Sequence, residues 1–165
     1  MSFGGWSIHK DTFDYILDFL PPGKTILELG SGFGTGELAK YYKMYSIESN
    51  TQWVGKYNST YIHAPIKMYD KEYTVPAIPG NTGWYNPNSL ESILPNIKYD
   101  LIFVDGPQGK FGRGGFYKHL DMFDTNLPIV FDDITREPEL ILMQMVAERL
   151  GKNYEIISQY AGIIK

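Results

Sequence analysis

Two stretches of the chain carry apolar residues at helical spacing. The first predicts a helix over residues 11–19, because two prolines and a glycine follow it and because one face holds Phe13, Ile16, Leu17 and Leu20. The second predicts a helix from Glu137 to Leu150, which Gly151 ends. Shorter helical segments are predicted over residues 37–42, 51–57 and 89–94.

Short apolar runs between these helices predict the strands of a sheet. They cover residues 25–29, 44–48, 60–64, 99–104 and 127–131, with a closing strand pair over 154–160 and 161–164. Strands that alternate with helices are typical of a parallel sheet. Because 165 residues suit one hydrophobic core, we expect a single α/β domain over residues 1–165.

Residues 70–87 interrupt this alternation. They contain three prolines and two glycines without a sustained period, so they predict a long loop, and loops of this length in compact domains are usually functional or mobile. Trp84 and Tyr85 lie within it, and we expect them to contact a substrate or another subunit rather than the core.

Composition narrows the range of partners. The 15 Lys and Arg residues are outnumbered by 19 Asp and Glu, for a net charge of −4, which disfavours a nucleic-acid partner. The absence of cysteine excludes disulfides, thiolate zinc sites and cysteine nucleophiles. No apolar run approaches the roughly 20 residues that span a bilayer, and no signal peptide is apparent, so we expect a cytoplasmic protein without membrane contact. The sequence leaves open whether the protein forms a homo-oligomer.

A glycine-rich turn is the strongest local signal. Glu28 is followed by Gly30, Gly32 and Gly34 at alternate positions between the first strand and a helix, and Glu48 ends the second strand. Glycine permits positive φ and close approach of a ligand, the helix start offers free amides, and a carboxylate ending the second strand can bind both ribose hydroxyls. The dinucleotide-binding motif G-x-G-x-x-G does not fit in either register, because the place of its third glycine is taken by Thr35 or by Glu37.

An acidic residue followed by G-x-G-x-G resembles the first motif of class I S-adenosylmethionine-dependent methyltransferases. The resemblance implies a Rossmann-like fold, with a mostly parallel seven-stranded sheet, an antiparallel C-terminal strand and helices on both faces. It also implies S-adenosylmethionine as cofactor, with the methionine portion on Glu28 and the turn, the ribose on Glu48, the adenine beside His63 and Ala64, and a cap at the amino terminus. The residues so implicated are Trp6, Glu28, Gly30, Ser31, Gly32, Gly34, Thr35, Glu48, Ser49, His63, Ala64 and Asp105.

Three aspartates follow two of the predicted buried strands. Asp105 follows one of them, and Asp132 and Asp133 follow the next, at the sheet edge where ligands of open α/β sheets bind. Carboxylates this close repel one another unless a cation joins them, and an oxygen-only set suits Mg²⁺, Mn²⁺ or Ca²⁺. The alternative is structural: Asp133 caps the next helix or turn, and Asp132 pairs with Arg136.

This arrangement is similar to that of metal-dependent O-methyltransferases acting on catechols and on sugar hydroxyls, and the Asp105-Gly106-Pro107 stretch resembles polysaccharide methyltransferases that modify glucuronic acid side chains. The resemblance implies a small-molecule or glycan acceptor, a sugar in particular. It departs at Gln108, where those relatives often carry a Lys or His base, so Lys110, His63, His119 and Asp105 all remain candidate bases. We take Asp105, Lys110 and His63 as the predicted catalytic residues.

Three functions are compatible with these motifs. The first is methyl transfer from S-adenosylmethionine to a hydroxyl, assisted by a divalent cation. The second is cleavage of S-adenosylmethionine itself by a lyase, and the third is a non-catalytic binding module on the same fold. Lys110 and Arg113, on a glycine-rich segment after the fourth of these strands, could meet an anionic group of a substrate or form a plain solvated loop.

Overall fold

The alternating segments of the sequence form a sheet with helices packed against it. In this computed structural model, which describes residues 8–70 and 78–165, the elements are α1 (Lys10–Phe19), β1 (Thr25–Leu29), α2 (Phe33–Leu38), β2 (Lys43–Glu48), β3 (Thr60–His63), β4 (Ile66–Met68), β5 (Gly83–Tyr85), β6 (Leu101–Val104), α3 (Gly115–Lys118), β7 (Ile129–Phe131), α4 (Glu137–Leu150), β8 (Tyr154–Ile156) and β9 (Gly162–Ile164). Short 3₁₀ turns cover Pro87–Ser89, Leu94–Asn96 and Leu120–Met122.

Seven of these strands form one sheet in the order β3-β2-β1-β6-β7-β9-β8. The first five are parallel, whereas β9 runs antiparallel to β7 and to β8. The predicted mostly parallel sheet with an antiparallel C-terminal strand is therefore confirmed. Because β1 lies between β2 and β6, the carboxyl ends of β1, β2, β6 and β7 meet along one edge.

Alternate residues of the strands enter two separate cores. Leu27 of β1 belongs to the core that includes Leu142 and Val146 of α4, and Ile26 belongs to the core that includes Phe13 and Ile16 of α1. Helices thus cover both faces, as expected for a sheet of continuous apolar strands. Among residues 8–70 and 78–165, none of the helices has both the length and the apolar character needed to cross a membrane.

The structure corrects three of the predicted helices. Residues 51–57 form turns in which the Trp53 amide bonds the Asn50 carbonyl at 2.9 Å, three residues back, and Gly55 adopts φ +80°, which stops helical propagation. The helix predicted over residues 37–42 lies earlier in the chain, at Phe33–Leu38, because the turn feeds directly into it. The helix predicted over 89–94 is replaced by 3₁₀ turns. The helix over Glu137–Leu150 is confirmed at both ends.

The long predicted loop contains a strand. Residues 83–85 form β5, which pairs antiparallel with β4, while residues 71–77 lie outside the described part of the chain. Trp84 and Tyr85 are 0% and 1% exposed, so the prediction that they avoid the core is wrong. Trp84 packs against α3, where only glycine fits at Gly115, because a Cβ there would overlap the indole. A three-residue strand has no period that sequence patterns can detect.

Replacement of Trp84 by alanine tests whether this buried indole anchors the β4–β5 pair. We expect Trp84→Ala to lower the free energy of unfolding by about 3–5 kcal/mol, the usual cost of truncating a large buried aromatic. Urea denaturation followed by circular dichroism measures it. Met68→Ala, on the same pair but 57% exposed, is the control and should change stability by less than about 0.5 kcal/mol. Equal losses for the two variants would contradict the packing described here.

Candidate active site

A cavity of about 590 Å³ opens along the carboxyl edge of the sheet. On one side its wall contains Gly30, Ser31, Gly32 and Glu48, and on the other it contains Asp105, Asp132 and Asp133. Seven residues predicted as cofactor or metal ligands are thus brought together. They meet because parallel strands place their carboxyl ends side by side, the usual ligand site of open α/β sheets.

Gly30 brings the turn after β1 against the end of β6. It adopts φ +93°, and a Cβ there would lie 2.9 Å from the carbonyl oxygen of Asp105. Its amide donates to the carbonyl of Ile47 at 2.8 Å, which fixes the turn against β2 as well. Glycine is required at this position, since a side chain would meet both the strained φ and the neighbouring backbone.

Glu28 lies beneath the turn rather than in the cavity wall. Thr35 and Ser46 donate hydroxyl hydrogen bonds to its carboxylate, at 2.9–3.0 and 2.8 Å, and the amide of Gly32 donates to the Thr35 hydroxyl at 3.0 Å. Burial raises the pKa of Glu28 to about 8, although both hydroxyl bonds act to lower it. Glu28 and Thr35 therefore stabilise the turn from beneath, outside the cavity wall.

Gly34 has a packing role of the same kind. A Cβ at this position would lie 2.7 Å from the Ile8 side chain, so the glycine lets the start of α2 pack closely on Ile8, two residues before α1. Glu28, Gly34 and Thr35 do not line the cavity, and their predicted contact with a cofactor stays a prediction.

Glu48 is held at the cavity wall by two backbone amides. Ser31 donates to one carboxylate oxygen at 2.9 Å and Asn50 to the other at 2.7 Å, and the residue is only 7% exposed. The carboxylate is thus fixed in place before any ligand binds, with unused lone pairs available to accept further bonds.

The predicted adenine contacts His63 and Ala64, and the predicted cofactor residue Ser49, are not part of the cavity wall, and their roles stay predictions. The His63 ring nitrogen Nε2 is 3.3 Å from the Ser49 carbonyl oxygen, and Ala64 is fully buried. Trp53, in the turn after β2, does line it and was missed because its segment has the composition of a helix. Trp6, the predicted amino-terminal cap, lies outside the described residues.

The three aspartates form one acidic cluster. Asp105, Asp132 and Asp133 each present an oxygen within 4.8 Å of the others. Burial raises the pKa of Asp105 and of Asp132, and the neighbouring aspartates raise both further. The Oδ1 atom of Asp132 is buried and has no hydrogen-bond partner among the described residues. A buried oxygen without a hydrogen-bond partner destabilises the free protein and can accept a bond from a ligand.

Arg113 occupies the centre of this cluster. Its guanidinium is buried and donates to the carboxylates of Asp105 and Asp133 at 3.2 and 2.8 Å, and to the carbonyl oxygens of Asp105, Pro107 and Asp132. It lies in the glycine-rich segment after β6, where we expected a substrate contact or a solvated loop. The solvated loop is wrong for Arg113, which is an internal cation, whereas this residue also lines the main cavity and its contact with a substrate stays a prediction.

The structural alternative predicted for Asp132 and Asp133 names the wrong aspartate as the partner of Arg136. Asp133, not Asp132, pairs with Arg136. Asp133 adopts φ +60° and caps no helix, because α4 begins after Arg136 and has no side-chain cap. Arg136 also lies 3.6 Å from the buried carboxylate of Glu139, so this arginine joins the acidic cluster to the start of α4.

The candidate bases are spread over different parts of the structure. Asp105 lines the main cavity, whereas Lys110 lines a second cavity of about 440 Å³ that shares Gln108, Gly109 and Arg136 with the first. His119 stacks on Trp84, with ring centroids 5.2 Å apart, and burial lowers its pKa.

His9 is the histidine that lines the main cavity, and sequence analysis missed it. Its ring stacks on that of Tyr160 with centroids 3.4 Å apart. The residue directly precedes α1, outside the glycine turn and the strand-end motifs, and its contact with Tyr160, in the loop between β8 and β9, is a tertiary one that the sequence does not show.

Comparisons with known proteins identify the fold. Neither a family model nor a curated protein matches the sequence. Among solved structures, the chain resembles the MycE methyltransferase of mycinamycin biosynthesis, solved with Mg, S-adenosylhomocysteine and mycinamycin VI, at 13% identity and a TM-score of 0.53 over 93% of this chain and 44% of MycE. The chain thus spans less than half of MycE.

Two further structures resemble it more weakly. They are the Mtq2–Trm112 complex of E. cuniculi, at 16% identity, a TM-score of 0.49 and coverage of 95% of this chain and 94% of that one, and a SAM-dependent methyltransferase from Aquifex aeolicus, at 15%, 0.45, 94% and 87%. Together with the strand order, the match to MycE shows that the chain has the Rossmann-like fold of S-adenosylmethionine-dependent methyltransferases.

The buried carboxyl of Glu28 predicts a pH dependence of stability. Its pKa in the folded protein, about 8, exceeds the ordinary 4.5, so the folded state binds the proton more tightly and loses stability as pH rises between these values. Glu28→Gln removes this loss. Relative to wild type, the variant should gain stability with rising pH by up to about 1.4 kcal/mol per pH unit.

Urea titrations at pH 5, 6.5 and 8 measure this difference. Glu137→Gln, which removes an exposed carboxylate at the start of α4, is the control and should parallel the wild type. A difference between Glu28→Gln and wild type that stays constant across these pH values would show that Glu28 is ionised throughout.

Proposed function

We propose that the protein transfers the methyl group of S-adenosylmethionine to a hydroxyl of a small molecule or glycan, in particular a sugar hydroxyl, with the assistance of a divalent cation. One observation carries this proposal: a single cavity joins the glycine turn and Glu48 to the acidic cluster of Asp105, Asp132 and Asp133. Its volume of about 590 Å³ lies within the range of small-molecule sites, about 300–1,000 Å³.

The cofactor would lie along the side of the cavity formed by the turn. Gly30 and Gly32 leave room for close approach to the backbone, and the free oxygen lone pairs of Glu48 suit the two hydroxyls of a ribose. Trp53 offers an aromatic surface for the adenine. MycE, the structural neighbour with the same fold, was solved with S-adenosylhomocysteine, the product that methyl transfer leaves behind.

The acidic cluster fits a hard divalent cation in its donor set. Three carboxylates lie close together, and the unpartnered Oδ1 of Asp132 would gain the cation as a partner. Arg113 and Arg136 already bond Asp105 and Asp133, so cation binding competes with these ion pairs. When bound, the cation would supply Lewis acidity that lowers the pKa of an acceptor hydroxyl.

The acceptor would enter from the second cavity, which meets the first at Gln108, Gly109 and Arg136. In the transfer, the acceptor oxygen bonds the methyl carbon as the carbon–sulfur bond breaks, and the hydroxyl proton passes to a base. Asp105 is the predicted catalytic residue best placed for this role, because it lines the main cavity. Lys110 faces the acceptor side.

Cofactor binding is tested by calorimetry with S-adenosylhomocysteine. The wild type should bind, and Glu48→Gln should bind at least about tenfold more weakly, a loss of about 1.4 kcal/mol, because an amide accepts fewer and weaker bonds than a carboxylate. Glu91→Gln, at an exposed site, should bind like wild type. No heat of binding with folded wild-type protein would refute the proposal.

Product analysis separates methyl transfer from the two alternatives. Incubation with S-adenosylmethionine and a panel of sugars and uronic acids should yield S-adenosylhomocysteine and a methylated sugar. Release of methylthioadenosine without an acceptor would indicate a lyase. Binding without either product, across a broad acceptor panel, would favour a non-catalytic module.

The cation is tested separately by electron paramagnetic resonance of Mn²⁺. Asp132→Asn removes the carboxylate with the unpartnered oxygen and should weaken Mn²⁺ binding at least about tenfold, since a charged ligand is replaced by a neutral one. Asp121→Asn, at an aspartate whose side chain is 89% exposed, is the control and should bind like wild type. A wild-type protein that binds S-adenosylhomocysteine but not Mn²⁺ would leave the transfer proposal standing without a cation.

A further inference from the structure

The guanidinium of Arg113 lies between two carboxylates of the acidic cluster. The side chain is only 5% exposed, and its single Nη2 atom donates to Oδ1 of Asp105 at 3.2 Å and to Oδ2 of Asp133 at 2.8 Å. A divalent cation bound by the cluster would be drawn to the same two carboxylates. The arginine thus already bonds two of the three residues that the proposed cation needs.

Backbone contacts fix Arg113 in this position. Its Nε donates to the carbonyl of Pro107 at 3.3 Å and its Nη1 to that of Asp132 at 3.2 Å, so every nitrogen of the guanidinium is bonded. The preceding Gly112 adopts φ +79° and packs on Asn81, where a Cβ would lie 2.9 Å from the Asn81 Cα. The inward position of the arginine is therefore determined by the backbone around it as well as by the aspartates.

A second arginine compensates the cluster from its rim. Arg136 bonds the same Oδ2 atom of Asp133, and its side chain is 40% exposed. Three ionised carboxylates and these two guanidinium groups leave one negative charge, whereas a divalent cation carries two positive ones. Among the described residues, Asp132 is the member of the cluster without an ion pair. The cluster as it stands therefore attracts a cation weakly.

A cation could bind beside Arg113 or in its place, and charge favours the second arrangement. Like charges a few ångströms apart repel strongly in a protein interior, where the effective dielectric constant is lower than in water. Hard divalent cations also take six or more oxygen ligands, and Asp132 alone supplies few of them. Withdrawal of the guanidinium would both remove the repulsion and free the carboxylates of Asp105 and Asp133.

We infer that Arg113 is a built-in competitor of the divalent cation: its guanidinium and the cation exclude each other from the carboxylates of Asp105 and Asp133. The inference rests on the proposed function, because that function includes the cation. The contact is autoinhibitory, since the internal ion pairs, and not a shortage of oxygen ligands, limit how tightly the cluster binds a cation.

Arg113→Gln tests the competition, because it removes the charge and keeps a polar side chain. We expect the variant to bind Mn²⁺ at least about tenfold more tightly than wild type does, because the cluster loses a competing positive charge. Electron paramagnetic resonance of free Mn²⁺ measures both affinities. By linkage, saturating Mn²⁺ should raise the melting temperature of the variant more than that of wild type. An equal or weaker affinity in the variant would overturn the inference, since the cation would then bind beside the arginine.

Arg136→Gln is the second variant and the milder one. Its charge is more exposed, so its removal should tighten Mn²⁺ binding by a smaller factor, about threefold. If Arg113→Gln does not fold, with or without Mn²⁺, this variant decides, and an unchanged affinity overturns the inference. Absence of Mn²⁺ binding in wild type and in both variants overturns it as well.

Arg149→Gln is the matched control. Arg149 also bonds a carboxylate and a backbone carbonyl, those of Asp121 and Tyr117, but it does not line the main cavity, so its variant should bind Mn²⁺ as wild type does. An equal gain in this control would indicate a general effect of net charge and overturn the inference. Failure of wild type to bind S-adenosylhomocysteine in calorimetry would instead refute the proposed function.

Discussion

The close approach of two backbones, at Gly30 and Asp105, determines the shape of the whole sheet edge. The turn after β1 passes within van der Waals contact of the end of β6, which leaves no room for a side chain at Gly30. The buried Glu28 carboxyl, through Thr35, fixes the same turn from below. The position of Glu48 follows, because its carboxylate bonds the amide of Ser31 in that turn.

Charge is balanced inside the protein rather than by solvent. The acidic cluster contains three carboxylates, and the guanidinium of Arg113 lies among them, with Arg136 at its rim. This arrangement lowers the repulsion that would otherwise separate the ends of β6 and β7. Asp132 is the least compensated of the three, since one of its oxygens has no partner among the described residues.

The sequence predicted the residues whose position follows from chain order. Glu48 ends β2 and Asp105 directly follows β6, and parallel strands place their carboxyl ends together whatever the conformation of their loops. The burial of Tyr85 and the place of His9 in the cavity wall could not be predicted, because both depend on tertiary packing. The first depends on a three-residue strand and the second on the docking of α1. Gly55 is a local example: residues 51–57 have the composition of a helix, but the positive φ of Gly55 prevents one from forming.

Arg113 has a further consequence for motion at this edge. Besides two carboxylates it bonds three backbone carbonyls, among them that of Pro107, which belongs to the same glycine-rich segment as the arginine itself. The segment is therefore fastened by the same side chain that neutralises the aspartates. Any displacement that frees the segment also withdraws a positive charge from the cavity, so opening of this part of the protein and a change in its electrostatic potential are one event.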